Sequence, residues 1–316
     1  MKKLVNISIM LLFSILLSSC SIDNKPRYTP PTEPEKYKIV TTTFPIYDFV
    51  RQLTKGCDIE VYLLVPPGEK EHTYKPSKED IKLVNESDIL VCIGDETDEW
   101  IEKLVKKDKN LHTRIIRFSE SAIDIAQGDR MLNSETLSID KIDYHFWLSL
   151  REDLRFVEWL EMIFNLHLNE YEEQIKENWE NYSSQLEDLD KKLIEITETS
   201  NAKEIVVADK FPFEYLVFDY DMKYTALSVG CNADTEIKQE DIEYMINRIN
   251  ENNVSTIFYT DMGDLDIVNE IVNNTGCQAA MLHSLHNVSK EDFDSGVTML
   301  DLFKANVDTI ESALCE

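Results

Sequence analysis

The chain has 316 residues, enough to bury a sizeable core without disulfide staples, and its 32 basic and 60 acidic side chains give a formal charge of −28. A surface of that sign repels nucleic acid and anionic lipid heads and enriches cations, although acidic excess also serves plain solvation. The six cysteines form no Cys-x-x-Cys pair and no dense framework; one bridge is possible in an oxidising exterior, with Cys231 to Cys277 the first pair to test, and most of them read as small buried apolar groups.

Met1-Lys2-Lys3 is followed by an uncharged stretch from Leu4 to Leu17 and then Ser18-Ser19-Cys20. A basic start, a short apolar core and small residues make a secretory signal over 1–19, too short for a lasting membrane span. Leu17-Ser18-Ser19-Cys20 resembles the lipobox of bacterial lipoproteins, which implies a lipid on Cys20, the first residue of the mature chain, and an extracytoplasmic, membrane-anchored location. Residues 20–36, with Pro26, Pro30, Pro31 and Pro34 among polar side chains, read as an extended tether.

From Tyr37 short β-rich runs alternate with amphipathic stretches. Lys38–Thr42 is a predicted strand, Ile46–Leu53 a helix, Ile59–Val65 a strand, Lys78–Val84 a helix and Ile89–Ile93 a buried strand ending at Gly94. Such alternation implies parallel pairing through right-handed crossovers. Ser119–Lys141 is polar and acidic and reads as a surface loop. From Arg151 to Thr199 there is no Gly or Pro, and apolar residues recur near helical spacing. That pattern predicts a shorter helix followed by one long one, with a coiled coil as the competing reading.

The alternation resumes with strand Glu204–Ala208, helices Phe213–Val217 and Ile237–Ile249, strand Ser255–Tyr259, helix Leu265–Val272, strand Gln278–Leu282 and helix Thr298–Leu314. The expected fold is therefore α/β: two similar lobes with parallel sheets, 37–150 and 201–316, joined by linking helices over 151–200 around a long rigid one. A ligand site is expected in the interlobe cleft, where strand ends face each other.

Four of the six histidines fall at predicted element ends. His72 lies in Glu71-His72-Thr73-Tyr74-Lys75-Pro76, after a strand and the loop Pro66-Pro67-Gly68-Glu69-Lys70. His145 lies in Asp143-Tyr144-His145-Phe146-Trp147-Leu148, and His283 and His286 follow the strand Gln278–Leu282. Histidines so placed point to a bound transition metal. His112 and His167 sit in helix or surface contexts and read as ordinary polar residues, and Phe44, Tyr47, Phe146 and Trp147 read as core packing.

The residues from Ile39 to Trp100, notably Thr41-Thr42-Thr43-Phe44-Pro45, Leu64-Val65-Pro66-Pro67-Gly68 and Glu71-His72-Thr73-Tyr74-Lys75-Pro76-Ser77, resemble the cluster A-I, zinc- and manganese-type, substrate-binding lipoproteins of bacterial ABC importers. His145-Phe146-Trp147-Leu148 is similar to the family's His-x-Trp-Leu, and Phe213-Glu214-Tyr215-Leu216 with Asp219-Tyr220 to its aromatic segment opening the second lobe. The likeness covers essentially the whole mature chain. It implies a monomeric receptor, not an enzyme, that delivers its metal to a permease driven by an ATPase.

Carried over residue by residue, His72 and His145 match the family's two ligands from the first lobe. Its third ligand falls on Ala208 or Lys210, depending on whether Phe211 or Phe213 is aligned, and neither coordinates; Asp209 is the nearest substitute. Its last acidic ligand has no clear counterpart, since Val297 lies close to that place. His283 and His286 are the residues inferred to supply imidazole instead, with Asp261 the lesser candidate. Asp234 and Glu236 resemble the family's acidic loop, or serve only as helix caps.

Three or four imidazoles favour Zn²⁺ in a tetrahedral shell, whereas a pair of imidazoles with a pair of carboxylates would favour manganese or iron. Glu71, beside His72, is either an orienting carboxylate outside the shell or a plain surface residue. A zinc hydrolase needs an open coordination position, but no His-Glu-x-x-His or nucleophile elbow occurs. An adhesin-like protein that kept the fold and lost transport remains the other alternative.

Overall fold

Short apolar runs form the strands, and side-chain caps start several of the helices between them. A computed structural model describes residues 36–94, 98–107, 112–121, 143–200, 203–229 and 237–315. The signal, the tether with Cys20, most of the loop after Ser119, and Cys231, Asp234 and Glu236 lie outside the described residues.

Tyr37–Thr41 (β1), Ile59–Leu63 (β2), Ile89–Cys92 (β3) and Arg114–Arg117 (β4) form one sheet in the order β2-β1-β3-β4, every pair parallel. Its helices are Phe44–Leu53 (α1), Lys78–Asn85 (α2) and Glu99–Lys107 (α3). Pro45 occupies the first turn of α1, where a missing N–H costs nothing. Ser77 and Asp80 cap α2 reciprocally, at 3.1 and 2.7 Å.

Leu150–His167 (α4) and the 28-residue Glu172–Thr199 (α5) follow. The second sheet comprises Glu204–Phe211 (β5), Lys223–Val229 (β6), Thr256–Thr260 (β7) and Gln278–Leu282 (β8), in the order β6-β5-β7-β8 and again parallel. Glu214–Asp219 (α6), Gln239–Asn252 (α7), Leu265–Thr275 (α8), Lys290–Ser295 (α9) and Met299–Leu314 (α10) complete the chain. The two sheets thus repeat one strand order, and their parallel pairing is the one the alternation implied. α5 packs against α1, α4 and α10, so its apolar stripe joins a globular core rather than a coiled coil.

The elements that sequence reading passed over are β4, β6, α3 and α9. Both strands are sheet edges, where half-covered positions accept charged residues and the β signal weakens. Cys57, Cys92, Cys277 and Cys315 are free thiols; the Cys277 sulfur accepts a hydrogen bond from the Thr275 hydroxyl at 3.0 Å.

One core runs through both lobes. Ile39, Phe49 and Val91 from the first sheet and α1 join Phe156, Leu160, Leu186 and Leu193 of α4 and α5, and Val207, Phe258 and Phe303 of the second lobe. The opposite face of each sheet carries its own cluster, Val40, Val84, Leu90 and Ile101 in the first lobe and Val206, Ile242, Ile257 and Ile271 in the second. Parallel strands buried on both faces account for the nearly continuous apolar runs.

Asp153 on α4 is completely buried, and neither carboxylate oxygen has a hydrogen-bond partner among the described residues. Burial first, and then the negative Glu152 and Asp219, push its pKa well above the usual carboxylate range. A folded pKa above the unfolded one means that stability is greatest below the ordinary carboxyl pKa and falls as pH rises, because only the unfolded chain ionises freely. Asp153→Asn is expected to stabilise the protein by about 1–3 kcal/mol near neutral pH and by little in acid. Denaturant unfolding at several pH values checks this; an equal effect at every pH contradicts it.

Candidate metal centre

β2 ends at Leu63, and the backbone continues beside β1, with Leu64 N donating to Thr41 O and Val65 N to Thr42 O at 2.9 and 3.0 Å. The chain then turns through Gly68, whose φ of +84° lies in the left-handed region that favours glycine. The one-turn 3₁₀ helix Glu71–Thr73 that follows places His72 at the cleft, open to solvent.

His145 precedes the 3₁₀ turn Phe146–Leu148, whose aromatic and aliphatic side chains are buried. Asp143 holds the histidine twice: its Oδ1 accepts from the His145 backbone N–H at 3.0 Å and lies in hydrogen-bond contact with Nδ1. A carboxylate accepting from Nδ1–H fixes the tautomer and makes Nε2 the nitrogen able to ligate. The Asp-x-His spacing was present in the sequence as Asp143-Tyr144-His145.

His286 comes from the loop after β8 and is 1% exposed. Leu285, immediately before it, has φ of +58°, an uncommon and costly conformation for a γ-branched residue. Side chains from elsewhere hold this loop. Asn306 Oδ1 accepts from His283 N at 2.7 Å and Asn306 Nδ2 donates to His283 O at 2.8 Å. Asp261 Oδ1 accepts from Ser284 N at 2.7 Å, and Trp147 Nε1 donates to Ser284 O at 3.1 Å. Asn287 Nδ2 reaches the His72 loop, donating to Pro66 O and Glu69 O at 2.8 Å each.

These loops bring His72, His145 and His286 together, each offering one ring nitrogen, with those nitrogens within 4.8 Å of one another. The ring centroids lie 6.4, 5.4 and 4.9 Å apart for the pairs 72–145, 72–286 and 145–286. Trp147 stands edge-on to His145 and His286 at 5.2 and 5.0 Å, an apolar wall that lowers the local dielectric. The donor set and its closeness suit a tetrahedral cation.

His283 does not join this cluster: its Nδ1 accepts from Leu285 N at 2.9 Å. Burial pushes the His283 pKa down, and Asp261 partly opposes this. Asp209, at the irregular pairing of β5 with β6, is buried and accepts from the Thr260 hydroxyl. A Cβ at Gly263 would overlap the Asp209 carboxylate, so glycine is required there. With Lys70, Lys210, His72 and His286, Asp209 lines a cavity of about 370 Å³. Asp261 serves the loop through Ser284 N, and the side chain of Glu71 lies outside what the structure describes. Ala208 is buried in the outer core of the second lobe, and Val297 O accepts from Arg51. His112 and His167 line a different pocket with Asp88 and Arg114.

The family described as zinc-uptake complex component A, periplasmic, matches residues 39–313. The high-affinity zinc uptake system protein ZnuA of Bacillus subtilis (strain 168) is 23% identical over 305 residues, covering 95% of this chain and 94% of that one. The zinc-binding lipoprotein AdcA of Streptococcus pneumoniae (strain ATCC BAA-255 / R6) is 23% identical over 280 residues, 87% of this chain but 55% of AdcA. Among solved structures, the Zn(II)-bound ZnuA-like domain of Streptococcus pneumoniae AdcA superposes with a TM-score of 0.74 at 22% identity, over 89% of this chain and all (100%) of that one. The metal-dependent lipoprotein YcdH of Bacillus subtilis superposes with a TM-score of 0.75 at 24% identity, over 88% and 100%. With the family's match spanning both sheets and the helices between them, the chain belongs to the ZnuA family of metal-uptake receptors.

Proposed function

We propose that the protein is an extracytoplasmic zinc receptor that binds one ion through His72, His145 and His286 and hands it to an ABC permease coupled to an ATPase. The observation that carries this reading is the meeting of three imidazole nitrogens from loops of both lobes within 4.8 Å. The lobes are the segments 37–150 and 201–316, with 151–200 linking them, and the lipid on Cys20 keeps the receptor at the membrane surface. Its family consists of solute receptors rather than enzymes, which disfavours a hydrolase.

Neutral imidazoles are borderline donors and favour Zn²⁺ over the manganese or iron that a carboxylate-rich shell would take. Asp143 sets the tautomer of His145, and the Trp147 wall strengthens the attraction between ion and ligands. Asp209, the buried carboxylate lining the same cavity as His72 and His286, stands outside the three clustered groups and is the second-lobe candidate to complete the shell, with water the alternative. Protons and metal compete for the same imidazole nitrogens, so affinity falls in acid.

Titration calorimetry on the purified protein tests the reading. The expected result is one zinc per chain, bound more tightly than manganese, with anomalous scattering at the zinc edge among the three histidines. A chain that binds no zinc, as the adhesin-like alternative requires, overturns it.

A further inference from the structure

His283 attracts notice as a fourth imidazole near the site, yet its ring nitrogen is already engaged. Nδ1 accepts from Leu285 N at 2.9 Å, which requires a neutral ring with its proton on Nε2. The contact runs from a side chain to the amide two residues on, the pattern by which Asn and Asp fold Asx turns. Its recipient is Leu285, fully buried and in the left-handed region at φ +58°. A leucine does not hold that conformation unless its surroundings impose it.

Three side chains impose it together. Asn306 fixes His283 N and O, Asp261 takes Ser284 N, and His283 takes Leu285 N. Three successive amides, those of His283, Ser284 and Leu285, are thus captured by side chains just before the chain presents His286.

We propose that His283 is a positioning residue: as an imidazole version of an Asx turn, it locks Leu285 left-handed and so aims His286 at the metal. The inference rests on the reading of His286 as a ligand. It assigns the two histidines of His283-Ser284-Leu285-His286 different tasks, one turning the backbone and the other meeting the ion.

The test uses the full chain and zinc competition against a chromophoric chelator near neutral pH. His283→Ala is expected to weaken zinc binding about 10- to 100-fold, the range for partners that orient a ligand. His283→Asn places Oδ1 where Nδ1 was and restores affinity to within about threefold of wild type, because asparagine makes the same turn. His283→Gln, one bond longer, resembles Nε2 instead and does not rescue. If the alanine variant fails to fold, the Asn and Gln pair decides the matter alone.

Wild-type affinity in His283→Ala, or equal losses in the Asn and Gln variants, overturns the proposal. His286→Ala separates the two levels. If it abolishes binding while His283→Ala keeps wild-type affinity, only the positioning role falls; if it retains wild-type affinity, the ligand reading falls and the positioning role with it.

Discussion

His145→Ala and His286→Ala each lower zinc affinity by more than roughly 100-fold, since even groups outside a metal shell are worth 10- to 100-fold and these variants remove a donor outright. His72→Ala gives a loss of the same order. Both inner rings are buried, His145 at 7% and His286 at 1%, so a water replacing either nitrogen must order itself against the Trp147 wall. His167→Ala, on an exposed helix end beside Arg114, leaves affinity unchanged and serves as the control. Calorimetry on the four variants reads the result, and full affinity in His72→Ala and His145→Ala would refute the assignment.

Asp48→Ala destabilises the fold by about 3–5 kcal/mol, the usual cost of removing one partner of a buried ion pair. Asp48 on α1 is fully buried; its Oδ1 accepts from Arg51 Nε and Nη2 at 2.9 and 2.5 Å and from Gln52 at 3.2 Å. Its Oδ2 accepts at 2.7 Å from Met299 N, the first residue of α10 in the other lobe. Burial pushes the carboxyl pKa up, while Arg51 and the Met299 amide pull it back. Alanine leaves the guanidinium and a helix-start amide without their acceptor and cuts a tie between the lobes. Denaturant unfolding checks this, and a loss below about 1 kcal/mol, that of an ordinary surface pair, contradicts it. Saturating zinc recovers part of the loss, as any ligand that binds only the folded state does.

The repeated sheets were legible because buried parallel strands are continuous apolar runs, as in Ile89-Leu90-Val91-Cys92. Helix starts were legible where caps stood, as at Ser77-x-x-Asp80. The edge strand Arg114-Ile115-Ile116-Arg117 was not, since charges at both ends mask its apolar centre. Of the three clustered histidines, His72 and His145 were singled out by motif, whereas which of His283 and His286 would join them was not readable. It depends on the backbone of Leu285 and on Asp261 and Asn306, which come from separate elements. Asn287 was missed for the same reason, because its partners Pro66 and Glu69 lie more than 200 positions away, at separations of 221 and 218.

His72 alone of the three rings faces solvent. On the zinc reading proposed above, an arriving cation meets this exposed imidazole before the two buried ones, so access to the site runs along the side that His72 occupies.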